Sequence, residues 1–177
     1  MKTIVIYKSK TGYTQKYAGW IAEELSADIR EASKIDAEFL CEYDVIIFGG
    51  SLHAVGINGI KVITDNFEKL KGKKLIVFAT GVSPLKDEAL SEIKYKNFTG
   101  EELKVIKLYY LRGGFNFKAL PLSDKILMLM LKAKIRMKKK ENLTADEKGM
   151  LAIFNKPIDY TKRENINSIL EYARNID

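Results

Sequence analysis

The hydroxyl groups of this chain gather where they could hold an anion. Ser9-Lys10-Thr11-Gly12-Tyr13-Thr14 follows a short apolar run and leads straight into a helical pattern. A helix N-terminus presents backbone N–H groups with no partner inside the helix, and it carries partial positive charge. A phosphate monoester there would accept from the hydroxyls of Ser9, Thr11 and Thr14, with Gly12 letting the backbone come close. Other phosphate motifs do not fit. The chain has no G-x-x-x-x-G-K-[ST] loop, and this turn holds one glycine where a dinucleotide fingerprint needs three. A receiver domain would want acids where Ser9 and Thr11 stand. The alternative is a capped turn without a ligand; three hydroxylated residues around one glycine favour the anion. Elsewhere the chemistry is sparse. Cys41 is the sole cysteine, which excludes a disulfide scaffold, and it reads as a small apolar residue rather than a redox thiol. No His, Cys or Asp cluster has metal-ligand spacing, and no nucleophile–base pair stands out.

The 9–14 turn needs elements to position it, and apolar periodicity predicts them. Residues 3–7, 43–48, 75–80 and 105–111 are short apolar runs, with a weaker one near 28–30. Runs apolar on both faces suit parallel strands covered on both sides. Between them Ala18, Ile21, Ala22 and Leu25 mark one helical face, and Ile60, Ile63, Phe67 and Leu70 repeat it more loosely. Leu90 and Ile93 hint at a third helix. Thr161-Lys162-Arg163-Glu164 has capping-box spacing ahead of Ile166, Ile169, Leu170 and Ala173. This alternation predicts an α/β fold: three layers around a doubly wound, five-stranded parallel sheet. With 177 residues, 46% hydrophobic and 30% charged, the chain reads as one domain over 1–177 rather than a disordered one. Residues 112–160 interrupt the alternation as a helical insertion, with a helix over 123–140 and a second opened by Thr144. In such sheets ligands sit beyond the carboxyl ends of the strands, so the loops there are the candidates.

Those loops resemble the flavodoxin family. Ser9-Lys10-Thr11-Gly12-Tyr13-Thr14 is similar to that family's FMN phosphate loop, [ST]-x-T-G-x-T. Ser51-Leu52-His53-Ala54-Val55-Gly56, after the 43–48 run and Gly49-Gly50, resembles its loop beside the isoalloxazine ring. Thr80-Gly81-Val82-Ser83 resembles a second flavin-covering loop. The likeness spans residues 1–111 and the last helix. It implies the strand order 2-1-3-4-5, FMN as cofactor, and these sixteen residues as its contacts, with no catalytic residue assigned. His53, turned toward the ring, would donate to N1 or O2 and favour the reduced cofactor; as a loop histidine it otherwise simply meets solvent. Tyr109 and Tyr110 would approach the ring or pack in the core.

The chain departs from electron-shuttle flavodoxins in being basic, in lacking aromatics in the ring loop, and in its insertion. The branch containing menaquinone-dependent protoporphyrinogen IX dehydrogenase has a more similar layout. It carries a Ser-apolar-basic-x-x-Gly stretch, matched by residues 51–56, and a long helical insertion, matched from Gly113-Gly114-Phe115 through Lys140. That resemblance implies a quinone-linked, protoporphyrinogen-type dehydrogenase. The alternatives are a soluble electron shuttle that docks protein redox partners, and a membrane-associated module without flavin.

Charge singles out the insertion. Formal net charge is +7, and the seven Lys and Arg residues between Lys125 and Lys140 account for all of it. Leu127, Leu131 and Ile135 line one face of the predicted helix, and Lys132, Arg136 and Lys140 another. Such a helix, opening at Ser123 and closing at Lys140, would lie on an anionic membrane surface. It would otherwise dock on its own domain or on a second subunit, leaving Lys138-Lys139-Lys140 in solvent. No nucleic-acid motif accompanies it, so no nucleic acid is expected. No apolar run approaches the ~18–20 residues that cross a bilayer, and the first residues lack a secretory signal. The expected compartment is the cytoplasm, with peripheral membrane contact through the insertion.

Overall fold

A computed structural model describes residues 1–84, 87–154 and 156–175. The Lys140 side chain, counted above in the basic segment, lies outside the described set. In chain order the elements are β1 (Thr3–Lys8), α1 (Tyr13–Leu25), β2 (Asp28–Glu31), α2 (Ala37–Leu40), β3 (Val45–His53) and β4 (Gly56–Ile57). There follow α3 (Lys61–Thr64), α4 (Phe67–Leu70), β5 (Lys74–Gly81), α5 (Asp87–Asn97), α6 (Gly100–Val105) and β6 (Lys107–Arg112). The insertion supplies β7 (Gly114–Phe115), α7 (Leu122–Arg136), α8 (Ala145–Ile153) and β8 (Ile158–Asp159), and α9 (Asn167–Arg174) ends the fold.

Five strands pair in parallel in the order β2-β1-β3-β5-β6, which is the expected 2-1-3-4-5, with the short β4 turning back antiparallel on β3. Each strand sends alternate side chains to opposite faces. Ile4, Ile46, Phe48 and Val77 enter a core with α3, α4 and α5 residues. Val5, Ile47, Ile76 and Phe78 enter a second core with α1 and α9. Both faces of the sheet are therefore dry, as the continuous apolar runs require. The order reverses between β1 and β3, so the chain leaves these two strands toward opposite edges and opens a crevice there.

Several boundaries differ from the sequence expectation. Strand β3 begins at Val45 and runs through Gly49-Gly50 to His53. Tyr43 precedes it, buried, with its hydroxyl donating to Asp28 at 2.7 Å; burial and that carboxylate push its pKa up to about 12. The 60–70 pattern is broken into α3 and α4 because the Asn66 side chain donates to the Val62 carbonyl, competing with the backbone ladder. Val105 closes α6, whose Thr99–Glu102 capping box is a signal the apolar pattern hid, so β6 starts at Lys107. The capping box expected at Thr161 does not form. Its N–H and hydroxyl both donate to Asp159, and a 3₁₀ turn at Arg163–Ile166 leads into α9.

Two glycines in β3 set the packing at the crevice. A Cβ on Gly49 would lie 2.1 Å from the buried Phe78 ring, and one on Gly50 would lie 2.7 Å from the Asn58 carbonyl. Neither neighbour can yield, since one is a core ring and the other is backbone. Gly49→Ala is expected to lower stability by about 1–3 kcal/mol through overpacking. Urea unfolding checks this, and Gly19→Ala, where a Cβ meets nothing within 4 Å, is the control.

Candidate functional site

Helix α1 starts on Gly12, whose φ of 89° is left-handed and open to glycine without strain. That bend aims the first turn of α1 at the crevice. No side chain caps this N-terminus, and no acid lies in its first turn. Its leading N–H groups therefore keep their donor capacity and their partial positive charge. The Gly12 N–H donates to Ser9 Oγ at 3.0 Å, which closes the loop and leaves the Ser9 hydroxyl hydrogen to donate elsewhere. Thr11 is half-buried in the same turn. Thr14 is buried, and its hydroxyl shares a 2.7 Å hydrogen bond with that of Thr80, also buried. Lys10 reaches Asp124 at the start of α7, 2.6 Å away.

The second loop is a hairpin. Leu52 pairs with Ile57 and His53 with Gly56, leaving Ala54-Val55 as the turn, with Ala54 at φ 53°. His53 and Ala54 are exposed at its rim, while Ser51, Leu52, Val55 and Gly56 are half-buried. Asn97 of α5 pins its base. The amide oxygen accepts from the Ile57 N–H, and the amide nitrogen donates to the Val55 and Ile93 carbonyls, each at 2.7 Å. Asn97 belongs to no motif and was not expected. The third loop is held by β6: Arg112 Nε donates to the Val82 carbonyl at 3.0 Å, and the Tyr110 hydroxyl to the Ser83 carbonyl at 2.6 Å. Tyr110 thus neither simply fills core nor stands free; it fixes the loop, and burial raises its pKa.

An open cleft of about 470 Å³ joins the first two loops, lined by Lys10, His53, Gly56, Ile57, Asn58 and Lys61. The Thr14–Thr80 pair joins the first loop to the third. All sixteen expected residues thus lie in three segments, made of strand ends, loops and the first turn of α1, at one end of the parallel sheet.

The 112–160 segment is stapled to this end. Buried Tyr17 of α1 donates to the Arg112 carbonyl and accepts from the Lys162 N–H and the Asn165 amide. The Arg112 guanidinium lies 3.7 Å above the Tyr160 ring. Strands β7 and β8 pair over α1, where the Tyr13 ring packs against Gly114. Burial, then the Asp159 charge, raise the Tyr13 pKa. Lys16 meets Asp159 at 2.9 Å.

Comparison with protein families comes to the same fold. A flavodoxin domain family model matches residues 4–143. An uncharacterised protein of Methanocaldococcus jannaschii is 32% identical over 98 residues, covering 54% of this chain. The matched stretch spans 65% of that relative's length. Among solved structures, two-electron reduced Megasphaera elsdenii flavodoxin is 18% identical with a TM-score of 0.47, covering 61% of this chain and 84% of its own. The Trp repressor binding protein from Bacillus subtilis is 19% identical with a TM-score of 0.49, covering 78% and 99%.

Two predictions follow from the contacts. Thr80→Val strands the buried Thr14 hydroxyl and is expected to cost about 1–3 kcal/mol, whereas the double Thr14→Val, Thr80→Val variant costs less than the two single changes together. Denaturant unfolding of the four proteins checks this. For Asp159, burial pushes the carboxyl up, but hydrogen bonds from Thr161 and Lys16 outweigh it and hold the pKa below its ordinary value. A depressed carboxyl stabilises fully above its unfolded-state pKa, and that contribution fades as pH falls through the folded value. Acid is therefore expected to loosen the β7–β8 staple below the usual carboxylate range. Hydrogen exchange at Tyr160, whose N–H bonds the Gly113 carbonyl, should report it, and Asp159→Asn should remove the pH dependence.

Proposed function

The chain belongs to the flavodoxin domain family, and on that premise we propose that it is an FMN-binding oxidoreductase. The observation that carries this reading is the uncapped, acid-free N-terminus of α1 beside the Ser9 and Thr11 hydroxyls. Residues 9–14 fit a phosphate dianion: unsatisfied N–H donors, a Ser9 hydroxyl hydrogen still to give, and a left-handed Gly12 with open space above it. Thr14 donates to the phosphate when Thr80 is the donor of their pair, and otherwise positions the turn. The hairpin at 51–56 and the loop at 80–83 would hold the ring from two sides. Bound FMN would supply the electron and hydride chemistry. The chain supplies the anchoring, and its pinned loops limit how the ring can tilt: Asn97 on one side, Tyr110 and Arg112 on the other.

The finer reading is a quinone-linked dehydrogenase of the porphyrinogen type, in which a porphyrinogen-class donor is oxidised and the electrons pass to a small acceptor of the quinone class. It is favoured by the position of the insertion, which builds a wall beside the phosphate loop through Lys10–Asp124 and Lys16–Asp159. The alternative, a shuttle docking on redox proteins, would need that wall to lie within the protein–protein interface. A flavin-free module remains the third reading, and colour decides against or for it.

Visible spectra of the purified protein, before and after adding FMN, test the proposal. Bound-flavin absorbance is expected, with Thr11→Ala weakening FMN about 10–100-fold, the worth of one hydrogen bond to a charged group. Riboflavin, which lacks the phosphate, should bind equally to both proteins. No spectral change at high FMN excess would refute the reading. Reoxidation of the reduced protein by a soluble naphthoquinone is the expected sign of the small-acceptor version.

A further inference from the structure

The exposed face of α7 is not the one its sequence pattern predicted. Ile135 is buried and Met128 and Leu131 are half-buried, so these three mark the covered side of the helix. The opposite side carries Leu122, Ile126, Leu129, Met130 and, just past the last turn, Met137. These are 74%, 53%, 51%, 66% and 88% exposed. At about 100° per residue they fall within one third of the helix circumference. Six of the ten large apolar side chains left exposed among the described residues lie on α7 and its cap, counting Leu127. Lys125 and Arg136 flank the stripe on one side and Lys134 on the other. Two of the acids near the helix are already engaged, Asp124 with Lys10 and Glu147 with Lys138.

We infer that this face docks on an anionic lipid bilayer, with the Leu and Met side chains sunk among acyl chains and the flanking lysines and arginine at the headgroups. Charge selects this occupant. A second copy laid on the same stripe would bring two rows of Lys and Arg together. A nucleic acid would use the cations and leave the apolar stripe in water. Fifteen residues lie in the interface plane rather than across it, and no helix among the described residues is long and apolar enough to cross. The Lys10–Asp124 pair ties the start of α7 to the phosphate loop, so docking brings the cleft to the edge of the bilayer. An electron acceptor dissolved in the lipid would then be within reach, a consequence that rests on the flavin reading, whereas the docking does not.

Flotation of the full chain with phosphatidylcholine vesicles, with and without phosphatidylglycerol, tests the inference. Co-flotation only with the anionic vesicles is expected, weakened by salt. Leu129→Glu combined with Met130→Glu should abolish it, while Tyr95→Glu, at a still more exposed large side chain on α5, should not change it. Lys125→Gln and Lys134→Gln should each weaken it about fivefold. Equal binding to both vesicles would overturn the inference, as would no binding to either. So would a dimer in light scattering that the double variant dissociates without any vesicle binding. A colourless protein that floats leaves the docking standing and the flavin reading failed; a coloured protein that stays in solution does the reverse.

Discussion

The site depends on the absence of two side chains. Gly49 and Gly50 sit at the centre of the sheet, and their missing Cβ atoms let Phe78 close one face and the 56–58 segment return over the other. That return makes the 51–56 hairpin, and Asn97 secures it to α5. A larger residue at either position would push apart the very elements that bound the crevice. The parallel ladder does the rest, because its register sets Lys8 beside Gly50 and Ser51 beside Thr80, so the segments that follow β1, β3 and β5 leave from the same end of the sheet. Loops that are far apart in sequence therefore face one another, and the Thr14–Thr80 hydroxyl pair links two of them.

Polar groups at this end of the sheet divide into those committed to structure and those left open. Thr80, Tyr17, Tyr110, Arg112 and Asn97 have partners that pin loops. The first turn of α1 has no cap from any side chain. Burying or crowding an uncapped helix end costs stability, so an exposed, rigidly presented one is a place where an anion can be received with little reorganisation. This contrast, more than any single residue, is what gives the end of the sheet its binding character.

The strands and both dry faces could be read from apolar runs because a doubly covered strand has no polar alternation to hide it, whereas the strand order came only with the family resemblance. The first loop could be read because its hydroxyls and glycine are contiguous. What escaped was long-range. Asn97 lies forty residues from the hairpin it holds, and nothing local marks it. Tyr110 and Arg112 look like ordinary strand residues until β6 is placed beside β5. Thr161 satisfied a spacing rule, yet its donors found Asp159 first. On α7 the periodicity correctly announced a helix over most of 123–140, but with apolar residues nearly all round it could not say which face the body would take. Packing of Ile135 and the Lys10–Asp124 tether decided that.

The central claim is that the first loop receives the phosphate while the other two receive the ring. Amide ¹H–¹⁵N spectra recorded with FMN and with riboflavin would test it directly. Both ligands should move the amides of 51–56 and 80–83, and only FMN should move those of 9–14. Shifts at 9–14 that are identical for the two ligands, or shifts confined to some other surface, would contradict the account.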